Sequence, residues 1–208
     1  MINSYYFPNL GFIMDDVPQE ILNNIKSEIS LIDYKTPRFN NRLAGNLKRS
    51  FKLTESISCL EPYTLNLLEQ YDREFDYIRS INIIDANLPF KLNDLWVNIQ
   101  SKHEFNPNHA HLGVLSFVIW IKIPFLIEDE LVESPGIYSN KNVAGNFEFS
   151  GTNILGQIIS YNIPVDKTYE GKIIMFPSKM SHCVYPFFSS DSERITVSGN
   201  IVLRSKKI

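Results

Sequence analysis

Leu95-Trp96-Val97-Asn98-Ile99-Gln100 alternates strictly. A β-strand turns successive side chains to opposite faces, so Leu95, Val97 and Ile99 share one face and Trp96, Asn98 and Gln100 the other. The stretch Arg194-Ile195-Thr196-Val197-Ser198-Gly199-Asn200-Ile201-Val202-Leu203 repeats the pattern. Ile195, Val197 and Ile201 oppose Arg194, Thr196, Ser198 and Asn200. A polar face of this kind either meets water, as in a half-buried antiparallel sheet, or lines the mouth of a barrel. Alternation alone does not choose between them.

Outward from these two segments, residues 115–123 are β-branched and aromatic. Residues 146–150, 154–162, 172–176 and 183–187 read as further short strands. Gly, Pro, Asn and Ser clusters separate them, which argues for a sandwich or closed barrel. Upstream, Pro18 precedes a stretch with Ile21, Leu22, Ile25, Ile29 and Ile32 at helical spacing, so residues 19–32 form an amphipathic helix. Pro62 opens a second helix, with Leu65, Leu67, Leu68, Tyr71, Phe75 and Ile78 as its apolar stripe. Residues 34–52 read as a loop or short irregular strand, and residues 40–46 within it are a candidate lid. The expected organisation is one domain over 1–208. Residues 1–90 give helical and loop support on one outer face, and residues 91–208 give the β core.

The chain has 208 residues, 44% apolar and 21% charged, an ordinary soluble composition that can bury a full core. Aromatics at 12% suit a sheet-rich interior. A net charge of −3 provides no basic field, so strong nucleic-acid binding is not expected. Cys59 and Cys183 form no CxxC pair, and the default setting is reduced and cytoplasmic. Residues 1–6 have no basic flank leading into an apolar run, so no signal peptide is read. The longest apolar stretch is broken by Ser116, Lys122 and Pro124, and no membrane span is expected.

The four histidines are His103, His109, His111 and His182. On an extended segment His109 and His111 share a face, so both imidazoles can reach one ion. His182 lies 71 residues beyond His111, after a buried-looking strand and a Pro-Ser turn, and Arg194 follows 12 residues later. A guanidinium suits a planar carboxylate through two parallel N–H bonds. Taken singly, a paired histidine motif, a lone histidine and an arginine have ordinary structural explanations. The ordered set, ending in a hydroxyl two residues past the arginine, is far less expected by chance.

This order resembles the 2-oxoglutarate and Fe(II)-dependent oxygenases, of the prolyl-hydroxylase-like kind found in phage and bacterial genomes. His109-Ala110-His111 matches the first ligand pair, His182 the distal ligand, and Arg194-Ile195-Thr196 the carboxylate clamp. Glu104-Phe105-Asn106-Pro107 and Ser116-Phe117-Val118-Ile119-Trp120 also resemble the phage subgroup. The resemblance implies a double-stranded β-helix, a jelly-roll or cupin-like barrel, with helices packed on one face. It implies Fe(II), 2-oxoglutarate and O2, and hydroxylation of an amino-acid or peptidyl substrate with release of succinate and CO2. A small-molecule substrate stays open, and a phage-encoded protein would work in the host cytoplasm. His111 stands where most of the superfamily has Asp or Glu. Strand parity favours His111 as the third ligand, with Glu104 as the alternative that would complete a two-His, one-carboxylate face. Arg194 would anchor the cosubstrate with Thr196 or Ser198; Asn98, Gln100 and Lys122 are further candidates. Competing readings are a non-catalytic metal-binding jelly roll, a three-His zinc hydrolase, or a cupin-type dioxygenase that does not use 2-oxoglutarate.

Overall fold

The computed structural model describes residues 9–81 and 89–204, so the signal-peptide reading of residues 1–6 lies outside the described residues. In chain order the elements are β1 (Ile13–Asp16), α1 (Gln19–Ser30), β2 (Arg49–Lys52), α2 (Ile57–Phe75), α3 (Tyr77–Ser80), β3 (Phe90–Gln100), β4 (Asn106–His109), β5 (Leu115–Lys122), α4 (Ile127–Glu133), β6 (Phe147–Thr152), β7 (Ile158–Ile163), β8 (Lys172–Pro177), β9 (Ser181–Val184) and β10 (Arg194–Leu203). Short 3-10 turns cover Asn40–Arg42 and Lys167–Tyr169. The major sheet has six strands in the order β1-β8-β5-β10-β3-β2, and the minor sheet four in the order β4-β9-β6-β7. Every strand pair is antiparallel. This is the expected mainly-β jelly roll with helices on one side, a double-stranded β-helix.

The major sheet is covered on both faces by separate cores. On the outer face, Leu115, Phe117, Ile119 and Ile121 of β5 and Ile173 and Met175 of β8 pack with Leu22 and Ile25 of α1 and Leu60, Leu67, Leu68 and Tyr71 of α2. On the inner face, Val118 and Trp120 of β5 and Ile174 and Phe176 of β8 meet Phe147 and Phe149 of β6. Two dry faces explain why residues 117–121 are continuously apolar: alternation disappears when both sides of a strand are buried. Gly199 of β10 is needed where β5 crosses it, because a Cβ there would lie 2.5 Å from the Phe117 ring and 2.9 Å from the Asp94 carbonyl oxygen.

Several boundaries differ from those expected. The second helix starts at Ile57, and Pro62 lies inside it. A side chain from another helix sets that start: the Glu28 carboxylate of α1 accepts the backbone N–H groups of Thr54 (2.6 Å), Glu55 (2.9 Å) and Ser56 (2.8 Å). These are donors with no partner inside the helix, and a carboxylate near a helix N-terminus also favours the helix dipole. Residues 154–157 are not strand. They belong to a hairpin turn in which Gly156 takes φ +77° and the Asn153 side chain accepts from Leu155 and Gln157. The segment expected at 183–187 is shifted to Ser181–Val184, which puts His182 within a strand. β1 and α4 lie where no element was expected, and β2 occupies the end of the 34–52 loop. Among the described residues no helix is long and apolar enough to cross a membrane.

Candidate metal centre

The polar faces of β3 and β10 do not meet solvent. Asn98, Gln100, Arg194 and Ser198 are 6%, 4%, 2% and 6% exposed, although all four are polar. With Trp96 and Thr196 they line a cavity between the sheets, closed by Val118, Trp120, Phe147, Val165 and the three histidines of the motif. Alternation on these strands therefore reports a barrel mouth. Leu43 and Gly45 also reach the cavity wall, which puts part of the candidate lid at the site.

His109 and His182 face each other across the β4–β9 pair, in direct register. Their ring centroids are 4.3 Å apart, and those of His111 lie 4.9 Å from His109 and 5.0 Å from His182. One ligand atom from each of the three falls within 4.8 Å of the others, and no carboxylate joins the group among the described residues. His109 Nδ1 lies 2.7 Å from the Pro107 carbonyl oxygen, and His182 Nδ1 lies 3.0 Å from that of Met180. A carbonyl can only accept, so each Nδ1 carries the hydrogen and each Nε2 keeps its lone pair for a ligand. The Nε2 atoms of His111 and His182 are 3.2 Å apart. Two imidazole nitrogens about 2.1 Å from one ion, at right angles, are separated by about 3 Å, so the spacing fits a shared cation.

Burial drives all three imidazoles toward the neutral, ligating form. It brings the His182 pKa down to about 3, helped by the neighbouring His109. It brings His111 down to about 4, again with His109 adding to the effect, and lowers His109 as well. The His182 ring is seated among Phe147, Phe149 and Phe176, with Phe147 stacked on it at 5.5 Å. Trp96 packs against His111 at 5.7 Å. These rings exclude water and fix the imidazole planes, a second layer that a reading of the histidine spacing could not reveal.

Arg194 is completely enclosed. Its Nε and Nη2 both donate to Gln100 Oε1, at 3.1 and 2.9 Å. Nη2 also donates to the Tyr185 carbonyl (2.7 Å), and Nη1 to the Gly145 carbonyl (2.9 Å). Phe125 and Phe187 approach the guanidinium, with ring centroids 5.7 and 5.4 Å from its central carbon. All four contacts are to neutral oxygens. A guanidinium offers five N–H donors, so at least one Nη1 hydrogen is left for a ligand. Burial lowers its pKa to about 9, opposed by Glu130, and it remains a cation at neutral pH. Glu130 itself is spent elsewhere, accepting from the N–H groups of Phe188 (2.7 Å) and Ser189 (2.8 Å).

The other candidates divide. Thr196 and Ser198 line the cavity beside Arg194. Asn98 lines it too, while its Oδ1 accepts from Ser50 Oγ at 2.7 Å. Gln100 holds Arg194 through its oxygen and donates through Nε2 to the Glu104 carbonyl, so it positions the arginine. Lys122 is not part of the cavity: β5 runs past the site before its last residue, and the Lys122 side chain is exposed. Glu104 is not beside the histidines either. Its carboxylate accepts from the N–H groups of Ser101 (2.9 Å) and Lys48 (3.1 Å), closing the loop between β3 and β4. His103 is exposed, with φ +71°, outside the cluster. Two enclosed polar atoms among the cavity-lining residues, Trp96 Nε1 and Asn106 Oδ1, have no protein partner. Sequence reading set Trp96 on the polar face of its strand and quoted Asn106 within the segment resembling the family, but gave neither a role in the site.

Solved structures share this architecture. A prolyl-4-hydroxylase from Pseudomonas putida superposes with a TM-score of 0.51 at 12% identity, covering 94% of each chain. A viral collagen prolyl hydroxylase from Paramecium bursaria Chlorella virus-1, solved with 2-oxoglutarate, gives 0.50 at 14% identity, covering 91% of this chain and 94% of that one. A Trichoplax adhaerens prolyl hydroxylase in complex with a hypoxia inducible factor peptide fragment gives 0.51 at 10% identity, covering 92% and 82%. At these identities the likeness speaks for the fold. No curated protein sequence matches the chain. The family model described as "Putative 2OG-Fe(II) oxygenase" matches residues 94–200, more than half of the chain, and spans the three clustered histidines and the buried arginine. With that match laid over this cavity, the chain belongs to the 2-oxoglutarate and Fe(II)-dependent oxygenase family.

Proposed function

We propose that this protein is a 2-oxoglutarate- and Fe(II)-dependent oxygenase that hydroxylates an amino-acid or peptidyl substrate, releasing succinate and CO2. The observation that carries this reading is the meeting of three neutral imidazoles and one buried guanidinium in a single cavity. His109, His111 and His182 would hold the metal through Nε2. When bound, Fe(II) with 2-oxoglutarate supplies the oxidising chemistry, and the protein contributes placement and polarity. Arg194 would take the far carboxylate of the cosubstrate through its remaining N–H, with Thr196 and Ser198 offering hydroxyls alongside. Gln100 holds the guanidinium plane, and Phe125 and Phe187 keep it dry. Trp96, Trp120 and Phe147 exclude water from the reacting end. The peptide-bound and collagen-directed relatives support a peptidyl substrate for this chain.

The test is anaerobic reconstitution with Fe(II) followed by 2-oxoglutarate. A weak visible charge-transfer band is expected, and succinate should form once O2 is admitted. Tight zinc binding with no such band would favour a hydrolase. A charge-assisted hydrogen bond contributes roughly 1.5–3 kcal/mol, so Arg194→Ala should weaken 2-oxoglutarate binding by about ten- to a hundredfold. Unchanged affinity would overturn the clamp. Arg194→Lys keeps the charge but not the fork that grips Gln100, and should recover only part of the loss.

A further inference from the structure

The charge inventory of the cavity is one-sided. Its described lining contains Arg194 and no Asp or Glu, and an imidazole that offers a nitrogen lone pair to a metal brings no charge of its own. Glu104 and Glu130 lie outside that lining, their oxygens turned to the N–H groups of Ser101 and Lys48 and of Phe188 and Ser189; Glu130 acts on Arg194 through its charge alone, and neither carboxylate joins the histidines as a ligand. A divalent cation placed among the histidines would therefore share a water-poor space with a fixed guanidinium and no anionic ligand. Like charges in a poorly screened interior repel far more than they do in water. A dianion that reaches both the metal and Arg194 removes that repulsion at both ends.

We propose that this site holds its metal weakly until the dianionic cosubstrate is present, so that metal and 2-oxoglutarate load as a mutually dependent pair. The inference rests on the proposed metal site and concerns its regulation. A carboxylate in place of His111 would neutralise one charge permanently and uncouple the two ligands in part. Coupling is reciprocal: whatever factor the anion adds to metal affinity, the metal adds to anion affinity.

Mn(II), followed by the loss of its free-ion magnetic resonance signal under anaerobic conditions, gives a readout independent of turnover. Saturating 2-oxoglutarate should tighten Mn(II) binding by between about 5- and 150-fold, the span of ordinary coupling between sites. The monoanion 2-oxobutyrate has the same chelating end and one charge fewer, and should tighten it less. His111→Asp should bind Mn(II) more tightly than the parent without cosubstrate and gain less when it is added. Equal Mn(II) affinity with and without 2-oxoglutarate would overturn the coupling. So would equal enhancement by the two keto acids, which needs no variant to fold. Absence of Mn(II) binding under every condition would overturn the metal site itself, and the coupling with it.

Discussion

The two sheets of this barrel are built on different terms. The major sheet has strands of 11 and 10 residues, β3 and β10, and helices pack against its outer face. The minor sheet presents two of the three clustered histidines on β4 and β9, which have four residues each. Its outermost strand, β7, leaves Ile158 83% exposed and Tyr161 61% exposed. One sheet is held by burial on both sides. The other is held by register and by the aromatic seat beneath His182. The difference separates scaffold from chemistry: the long sheet fixes Arg194 and its hydroxyl neighbours, and the short one presents the imidazoles to it.

That contrast can be broken or sharpened by measurement. The largest effect is expected in the major sheet, where Leu95 is fully buried. Leu95→Ala should cost about 2–5 kcal/mol in urea denaturation; a loss below 1 kcal/mol would mean the outer core is not the main support. In the minor sheet, an ion binding across the His109–His182 pair would staple β4 to β9. Mn(II) with 2-oxoglutarate, at a hundred times the apparent Mn(II) dissociation constant, should stabilise the fold by about 2.7 kcal/mol, read as a rise in Tm. His182→Ala should abolish that rise. Gly199→Ala puts a Cβ into the Phe117 ring and the Asp94 carbonyl, and should destabilise by roughly 1–3 kcal/mol.

A smaller effect tests the helical layer. Burial alone would raise the Glu28 pKa, but hydrogen bonds from Ser56, Thr54 and Glu55 hold it below the ordinary carboxylate value. A lowered folded pKa contributes stability above the unfolded pKa and loses it as pH falls through the folded one. Glu28→Gln should therefore cost about 1 kcal/mol at neutral pH. The gap to the parent should close below the normal carboxylate range, as followed by denaturation across pH. The smallest effect belongs to the exposed edge: Ile158→Thr should shift stability by no more than about 0.5 kcal/mol.

Much of the barrel was legible because strand parity is a local property. The alternation at 95–100 and 194–203 correctly sorted core-facing from polar side chains, and the β-branched and aromatic residues 115–123 marked a strand, though not its two buried faces. What was missed depended on partners distant in sequence. Pro62 looked like a helix start because nothing nearby shows that Glu28, from another helix, caps donors six to eight residues earlier. Lys122 shares parity with Trp120, but the cavity ends before the strand does. Glu104 sits close to the histidine pair in sequence, yet its carboxylate is consumed by two backbone N–H groups.

The sequence by itself determined the periodicities, the strand-rich class, and the residue types able to bind a cation and a carboxylate, since these follow from chemistry and from the geometry of one strand. Only the tertiary structure decided that the polar faces look inward, that His109 and His182 lie opposite each other, and that among the described residues no carboxylate joins them. Those outcomes depend on strand register and on hydrogen-bond partners far apart in the chain, which are resolved only when the two sheets close over a common interior.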